Sequence, residues 1–193
     1  MNQFRPGEAQ RAAANLDPGT PAVQSNSRQS RCDVTPESIR ATDPFGYDRR
    51  THAYLNLSPG LDFETRLFYK RDAALRLRLE LNRRGYQPSA INLGANTDPY
   101  QPLEKRLGIT RSILEVLAEA HHPVAIVTKS ALVVRDLDLL QQLAAEQLVR
   151  VFVSLTTLDE ELKRRMEPRA AGPAAQLAAI SKLAAGGIPT GVM

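Results

Sequence analysis

From residue 51 onward, short apolar runs alternate with helical stripes. In 91–106 (INLGANTDPYQPLEKR) an apolar run ends at Leu93, and Gly94 opens a polar turn carrying Asn96, Thr97 and Asp98. Pro99 and Pro102 keep a helix from starting at once. A stripe of Ile113, Leu114, Leu117 and Ala118 then predicts a return helix from about Thr110. The β-branched run 123–128 (PVAIVT) predicts a buried strand leading into Lys129 and Ser130. Residues 136–146 predict an amphipathic helix with Leu137, Leu140 and Leu143 inward, and 149–155 (VRVFVSL) a strand ending at Ser154. Thr157 to Glu160 reads as a capping box, the Thr157 hydroxyl on the N3 amide and Glu160 reaching back. A short helix follows to Met166, where Pro168 stops it. Residues 174–185 predict another helix closed by Gly186 and Gly187, and 188–193 (IPTGVM) the start of a further strand.

Two stretches resist a plain period reading. In 71–84, Leu75, Leu77, Leu79 and Leu81 alternate with polar residues, which is strand period. Ala, Leu, Arg and Glu are nevertheless helix formers, and Ala74, Leu77 and Leu81 also fit a helical stripe, so helix is expected. Residues 1–50 are rich in Pro, Gly, Ser, Asn and Arg and lack the apolar area that offsets ordering entropy. They read as a disordered or irregular lead, with at most a helical turn at 12–16.

Strand, polar loop and return helix, repeated, predict an α/β protein with parallel strands and chemistry at the strand ends. The division expected is 1–50 as lead and 51–193 as one α/β domain. A strand at 188–193 with nothing after it to cover it looks like truncation. At 193 residues the chain is long enough to bury a core, and scarce aromatics argue against an all-β sandwich. Its net charge of +4 comes from 25 basic and 21 acidic residues dispersed along the chain. A surface of mixed sign explains that balance as well as a nucleic-acid partner would. No apolar run is long enough for a transmembrane helix and the N-terminus has no signal-peptide core, so a soluble cytoplasmic protein is expected. The single cysteine, Cys32, excludes an intrachain disulfide framework and any site needing several thiolates from this chain.

The residues offer no catalytic constellation by spacing alone; P-loop, GxSxG and HExxH patterns are missing. His121 and His122 point about 100° apart if they end a helix, so they read as solvated C-terminal histidines, and His52 reads as structural. More telling are polar residues at three successive strand ends: Asn96 and Thr97, then Lys129 and Ser130, then Ser154. Parallel strands bring such ends to one mouth. A lysine directly after a buried strand is partly desolvated and suited to an anionic ligand. Glu167 and Arg169 follow the next element.

Five segments carry a family resemblance: THAYLNLSPGLDFETRLF, LGANTDPYQPLEKRLGITRSILEVL, HHPVAIVTKSALVVRDLDLL, VFVSLTTLDEELKRRMEPRAAGP and AAGGIPTGV. Together they resemble the radical SAM superfamily and, within it, the branch of proteins similar to spore photoproduct lyase. The likeness is dense over 51–193 and fainter over 23–45. It implies a partial (β/α)6 TIM-like barrel, here truncated. In that family a 4Fe-4S cluster, bound by three cysteines of a Cx3Cx2C loop, reductively cleaves S-adenosylmethionine to a 5′-deoxyadenosyl radical. By position, Asn96 and Thr97 would lie near the cosubstrate's amino-acid end, and Lys129 and Ser154 would line the same pocket. Glu167 and Arg169 carry over as further cofactor-binding positions.

The chain departs from the family pattern at the cysteine loop. That loop belongs just before YDRRTHAYL, yet 35–47 contains no cysteine; position for position Ile39, Asp43 and Gly46 would stand at the ligand sites. Such clusters are held by thiolates, so none is expected to assemble on this chain. An internal deletion that also removes the first barrel strand accounts for the mismatch. The sequence therefore predicts a radical SAM family protein that is inactive or a fragment. Two readings compete with it: a cluster-free barrel remnant binding an adenosyl or phosphate ligand, and a nucleic-acid binder suggested by the pI of about 9.5. The latter needs a basic face with interleaved aromatics, which the scattered arginines do not supply.

Overall fold

The computed structural model describes residues 22–25, 66–95 and 97–193. Four strands form one parallel sheet in sequential order: β3 (Ile91–Leu93), β4 (Val124–Thr128), β5 (Val149–Val153) and β6 (Thr190–Val192). Ile91 aligns with Val124, Val124 with Val149, and Val151 with Thr190. The helices between the strands are α2 (Glu104–Leu107), α3 (Ile109–Glu119), α4 (Leu137–Ala145), α5 (Glu160–Met166) and α6 (Pro173–Ala185), with α1 (Ala73–Leu81) before β3. This is the α/β architecture that the alternation of strand and helix patterns predicts.

The period-two burial of the strands decides which face carries the core. Ile91, Leu93, Val124, Ile126, Val149, Val151 and Val153 are buried and join Ile113, Leu114, Leu117, Leu140, Leu143 and Leu183 from the helices. Each such side chain removed from water contributes about 1.5–3 kcal/mol. The opposite-parity residues Asn92 and Arg150 are exposed, and Val127 and Phe152 are half-buried. Lys129 and Ser154 share the parity of Val127 and Phe152, so alternation carries both onto the open face at the C-terminal strand ends.

The helix expected over 71–84 forms as Ala73–Leu81, with Ala73 and Leu77 buried while Leu75 and Leu79 are 59% and 66% exposed. Elsewhere the structure corrects expectations. The loop after β3 resumes helix earlier than Thr110: α2 begins two residues after Pro102, and Gly108, at φ 62°, separates it from α3. The helix expected over 136–146 forms as Leu137–Ala145 with Leu140 and Leu143 buried, and its N-cap residue Asp136, wholly buried, also ends a 3-10 turn, Ala131–Asp136, that the sequence did not show. The N-cap of α5 is Asp159, which accepts from the Leu162 amide at 2.9 Å; Thr157 instead accepts from the Asp159 amide at 3.1 Å. A short polar side chain one residue before the helix out-competes one three residues before it.

His122 is not a solvated histidine. It is 3% exposed, with Nδ1 3.0 Å from the Pro123 carbonyl and Nε2 2.7 Å from the Tyr86 hydroxyl. A carbonyl only accepts, so Nδ1 carries the proton and Nε2 accepts from Tyr86. Burial lowers its pKa, against the opposing bond to Pro123. His121, in contrast, is exposed and meets Glu146 at 2.6 Å. The irregular lead also holds one strand that its composition did not announce: β1 (Ala22–Ser25) pairs parallel with β2 (Arg66–Tyr69), Ala22 beside Arg66 and Ser25 beside Tyr69. Most of 1–65, including His52, Cys32 and Asp43, lies outside the described residues, as does Asn96.

Candidate functional site

The polar side chains at the C-terminal ends of β3, β4 and β5 are joined by two sets of hydrogen bonds. The first centres on Asp98. Its Oδ1 accepts from the Tyr100 amide at 2.8 Å, closing an Asx-turn, and from the Thr128 hydroxyl at 2.6 Å. Its Oδ2 accepts from the Lys129 amide at 2.7 Å. Thr128 Oγ1 in turn accepts from the Ser130 amide at 3.0 Å, and Ser130 Oγ accepts from the Leu132 amide at 3.2 Å. One carboxylate thus fastens the loop after β3 to the end of β4. The close approach has a backbone condition: Gly94 sits at φ +98°, and a Cβ there would fall 2.0 Å from the Val127 carbonyl oxygen.

The second set centres on Lys129. Its ammonium donates to Ser154 Oγ at 3.2 Å, Thr156 Oγ1 at 3.4 Å and Glu167 Oε1 at 2.6 Å. Glu167 Oε2 accepts from Lys163 Nζ at 2.6 Å and from Thr156 Oγ1 at 3.0 Å. Burial pushes the Glu167 carboxyl up, but bonds from Lys129, Lys163 and Thr156 outweigh it and hold the group at about 2. Beneath them the wholly buried Gln176 donates through Nε2 to the carbonyls of Lys129, at 2.8 Å, and Ser154, at 3.0 Å, bridging the ends of β4 and β5. Gln176 Oε1 meets no donor among the described residues.

Below the β3 loop lies a buried ionic lattice. Glu104 is wholly buried and accepts from the Thr110 amide at 3.0 Å and Arg135 Nη2 at 2.7 Å. A carboxylate at the first turn of α3 complements the helix dipole. Arg135 also grips Asp136 at 2.8 Å and stacks over Tyr100, 5.9 Å from the ring centroid. Arg111 joins Asp136 at 3.1 Å and Asp138 at 2.7 Å, which brings the Asp138 carboxyl to about 2. Arg78 pairs with Glu119 and Arg83 with Glu80. These arginines are committed to protein carboxylates, so the basic pI does not translate into a basic face at those positions.

Of the residues singled out in the sequence, Lys129, Ser154 and Glu167 come together within hydrogen-bonding distance. Thr97 is half-buried in the β3 loop, next to Asp98. Arg169 lies exposed between α5 and α6. Sequence reasoning missed Asp98, Thr156, Lys163 and Gln176 as members of the site. Gln176 had a visible signal: it is the polar position on the inward stripe Pro173, Ala179 and Leu183 of an otherwise alanine-rich helix. Lys163 had none, because an i,i+4 lysine–glutamate pair reads as solvated surface until its burial is seen.

Among the described residues, no group of three or more His, Cys, Asp and Glu is placed to hold a metal ion, and no helix is long and apolar enough to cross a membrane. No family model matches the chain. An uncharacterized protein of Mycobacterium tuberculosis is 40% identical over 147 residues, covering 76% of this chain and 43% of that protein, and one of Mycobacterium bovis matches equally. An uncharacterized protein of Methanocaldococcus jannaschii is 32% identical over 78 residues, 40% of this chain and 29% of that protein. The chain spans less than half the length of these curated relatives. Among solved structures, spore photoproduct lyase complexed with dinucleoside spore photoproduct superposes with a TM-score of 0.56 at 17% identity, over 88% of this chain and 50% of that one. A variant of the same enzyme with bound AdoMet and dinucleoside spore photoproduct gives 0.53 at 17% identity, over 88% and 49%. At that identity the likeness is one of fold.

Proposed function

We propose that this chain is a radical-SAM-type partial barrel that retains the S-adenosylmethionine side of the site and does not itself generate the 5′-deoxyadenosyl radical. The observation that carries the reading is the Lys129 ammonium, set at the end of β4 among Ser154, Thr156 and Glu167 on the open face of the sheet. Two further supports are the fold likeness to an enzyme solved with AdoMet and the polar strand ends. In this reading Thr97, and by sequence position Asn96, belong to the amino-acid end of the ligand, while Lys129 and Ser154 line its pocket. Glu167 and Arg169 border it.

A 4Fe-4S cluster does not fit the residues present. It requires converging thiolates, and the 193 residues hold one cysteine. No step is therefore routed through a cluster, and the proposal is confined to ligand binding. Nucleic acid is a component of the reading only through the photoproduct bound to the structural neighbour.

The test is calorimetric titration of metal-free protein with S-adenosylmethionine. Saturable binding that Lys129→Met abolishes is expected. Absence of heat from the unmodified chain at millimolar ligand would overturn the proposal.

A further inference from the structure

We infer that Glu167 is the resident occupant of an anion clamp at this mouth, and that a ligand carboxylate displaces it from Lys129 while Lys163 retains it. The inference rests on the adenosyl-ligand reading and adds to it a built-in competitor.

Two ammonium groups and one hydroxyl converge on the Glu167 carboxylate: Lys129 and Lys163 each at 2.6 Å, and Thr156 at 3.0 Å. A carboxylate so bound shows what the Lys129 ammonium accepts as a partner, since charge-assisted bonds of this kind specify an anionic oxygen. The two lysines differ in how tightly they are tied to it. The Lys163 side chain is 3% exposed and sits four residues before Glu167 on the same helical turn. Leaving it unpaired would strand a buried ammonium, so that contact persists. The Lys129 side chain is 41% exposed and has Ser154 and Thr156 as alternative partners. Its bond to Glu167 is therefore the exchangeable one.

The geometry lets the exchange proceed without unfolding. Glu167 lies just past the end of α5 at φ −139° and ψ 67°, and its side chain is 23% exposed. Releasing Oε1 from Lys129 leaves Oε2 bound to Lys163 and Thr156. Lys129 then offers its ammonium, oriented by Ser154, to a carboxylate arriving on the open face. The amino-acid end of an S-adenosyl ligand carries such a group. Glu167 consequently lowers apparent affinity for carboxylate-bearing ligands and leaves ligands without one unaffected.

The experiment compares S-adenosylmethionine with its decarboxylated form by calorimetry, on the unmodified chain, on Glu167→Gln, and on the double variant Lys163→Met/Glu167→Gln. The double variant removes both buried charges together and guards against a folding defect in the single one. The expected result is that both variants bind S-adenosylmethionine about tenfold more tightly, the effect of one competing charge-assisted bond, with the decarboxylated ligand unchanged. Equal or weaker binding of S-adenosylmethionine by both variants, with binding by the unmodified chain intact, overturns the clamp and leaves the adenosyl reading standing. Equal tightening of both ligands also overturns it, because a general loosening of the mouth would then be the cause. No binding of either ligand by any form overturns both.

Discussion

Replacing Asp98 tests whether one carboxylate holds the mouth together. The side chain accepts from the Tyr100 amide, the Thr128 hydroxyl and the Lys129 amide, at 2.8, 2.6 and 2.7 Å. Asp98→Ala deprives two backbone amides of their acceptor and leaves the Thr128 hydroxyl to reorient. Each polar group left without a partner away from water costs about 1–3 kcal/mol, so a loss of about 3–5 kcal/mol is expected. For a chain of this size that corresponds to a fall in Tm of about 10 °C. Asp98→Asn separates hydrogen bonding from mere bulk. Its Oδ1 still accepts from Tyr100 and Thr128, but its Nδ2 now faces the Lys129 amide donor to donor, so one bond fails and about 1–2 kcal/mol is lost. Thermal melts by circular dichroism, with hydrogen exchange read at the Lys129 amide, check both. Exchange there should accelerate in both variants. An alanine variant that loses less than about 1 kcal/mol, or an asparagine variant as unstable as alanine, would refute the reasoning.

Other substitutions and conditions probe the neighbouring elements. Gly94→Ala forces a Cβ to 2.0 Å from the Val127 oxygen at φ +98°, so the β3 loop must move off β4; more than about 4 kcal/mol of lost stability is expected in denaturant titrations, and near-unmodified stability would contradict the close approach. Glu104→Ala takes one of two carboxylates from Arg135, which keeps Asp136, and leaves the Thr110 amide at the start of α3 without its acceptor; a loss of about 1–3 kcal/mol is expected, again by denaturant titration. The Glu167 carboxyl is lowered in the folded chain from 4.5 to about 2, so its contribution is complete above the unfolded pKa and is lost as pH falls through that window. Tm measured across it should drop more steeply for the unmodified chain than for Glu167→Gln, and parallel curves would count against the assignment. Anaerobic reconstitution with iron and sulfide should leave the chain without a cluster; about four irons per chain with a matching EPR signal would show that one cysteine suffices.

The order of strands and helices from β3 onward was legible because it is written in local periodicity. Runs such as VAIVT and VRVFV have few alternatives to a buried parallel strand, and the Gly186–Gly187 pair ends α6 whatever surrounds it. The grouping of Lys129 with Ser154 was legible for the same reason, since parallel neighbours in sequential order place their C-terminal ends side by side. What the sequence could not decide were questions of burial at a distance. In α1 residue propensity carried the helix reading against the leucine alternation, but period alone did not say that Leu77 meets the core while Leu75 and Leu79 stay exposed. His122 looked solvated until Tyr86, 36 positions earlier, was brought onto it. Asp98, Lys163 and Gln176 are ordinary polar residues in any window. They acquire their roles only when tertiary packing removes water and leaves a backbone amide, a carboxylate or a pair of strand-end carbonyls as the remaining partner, a selection that acts through space rather than along the chain.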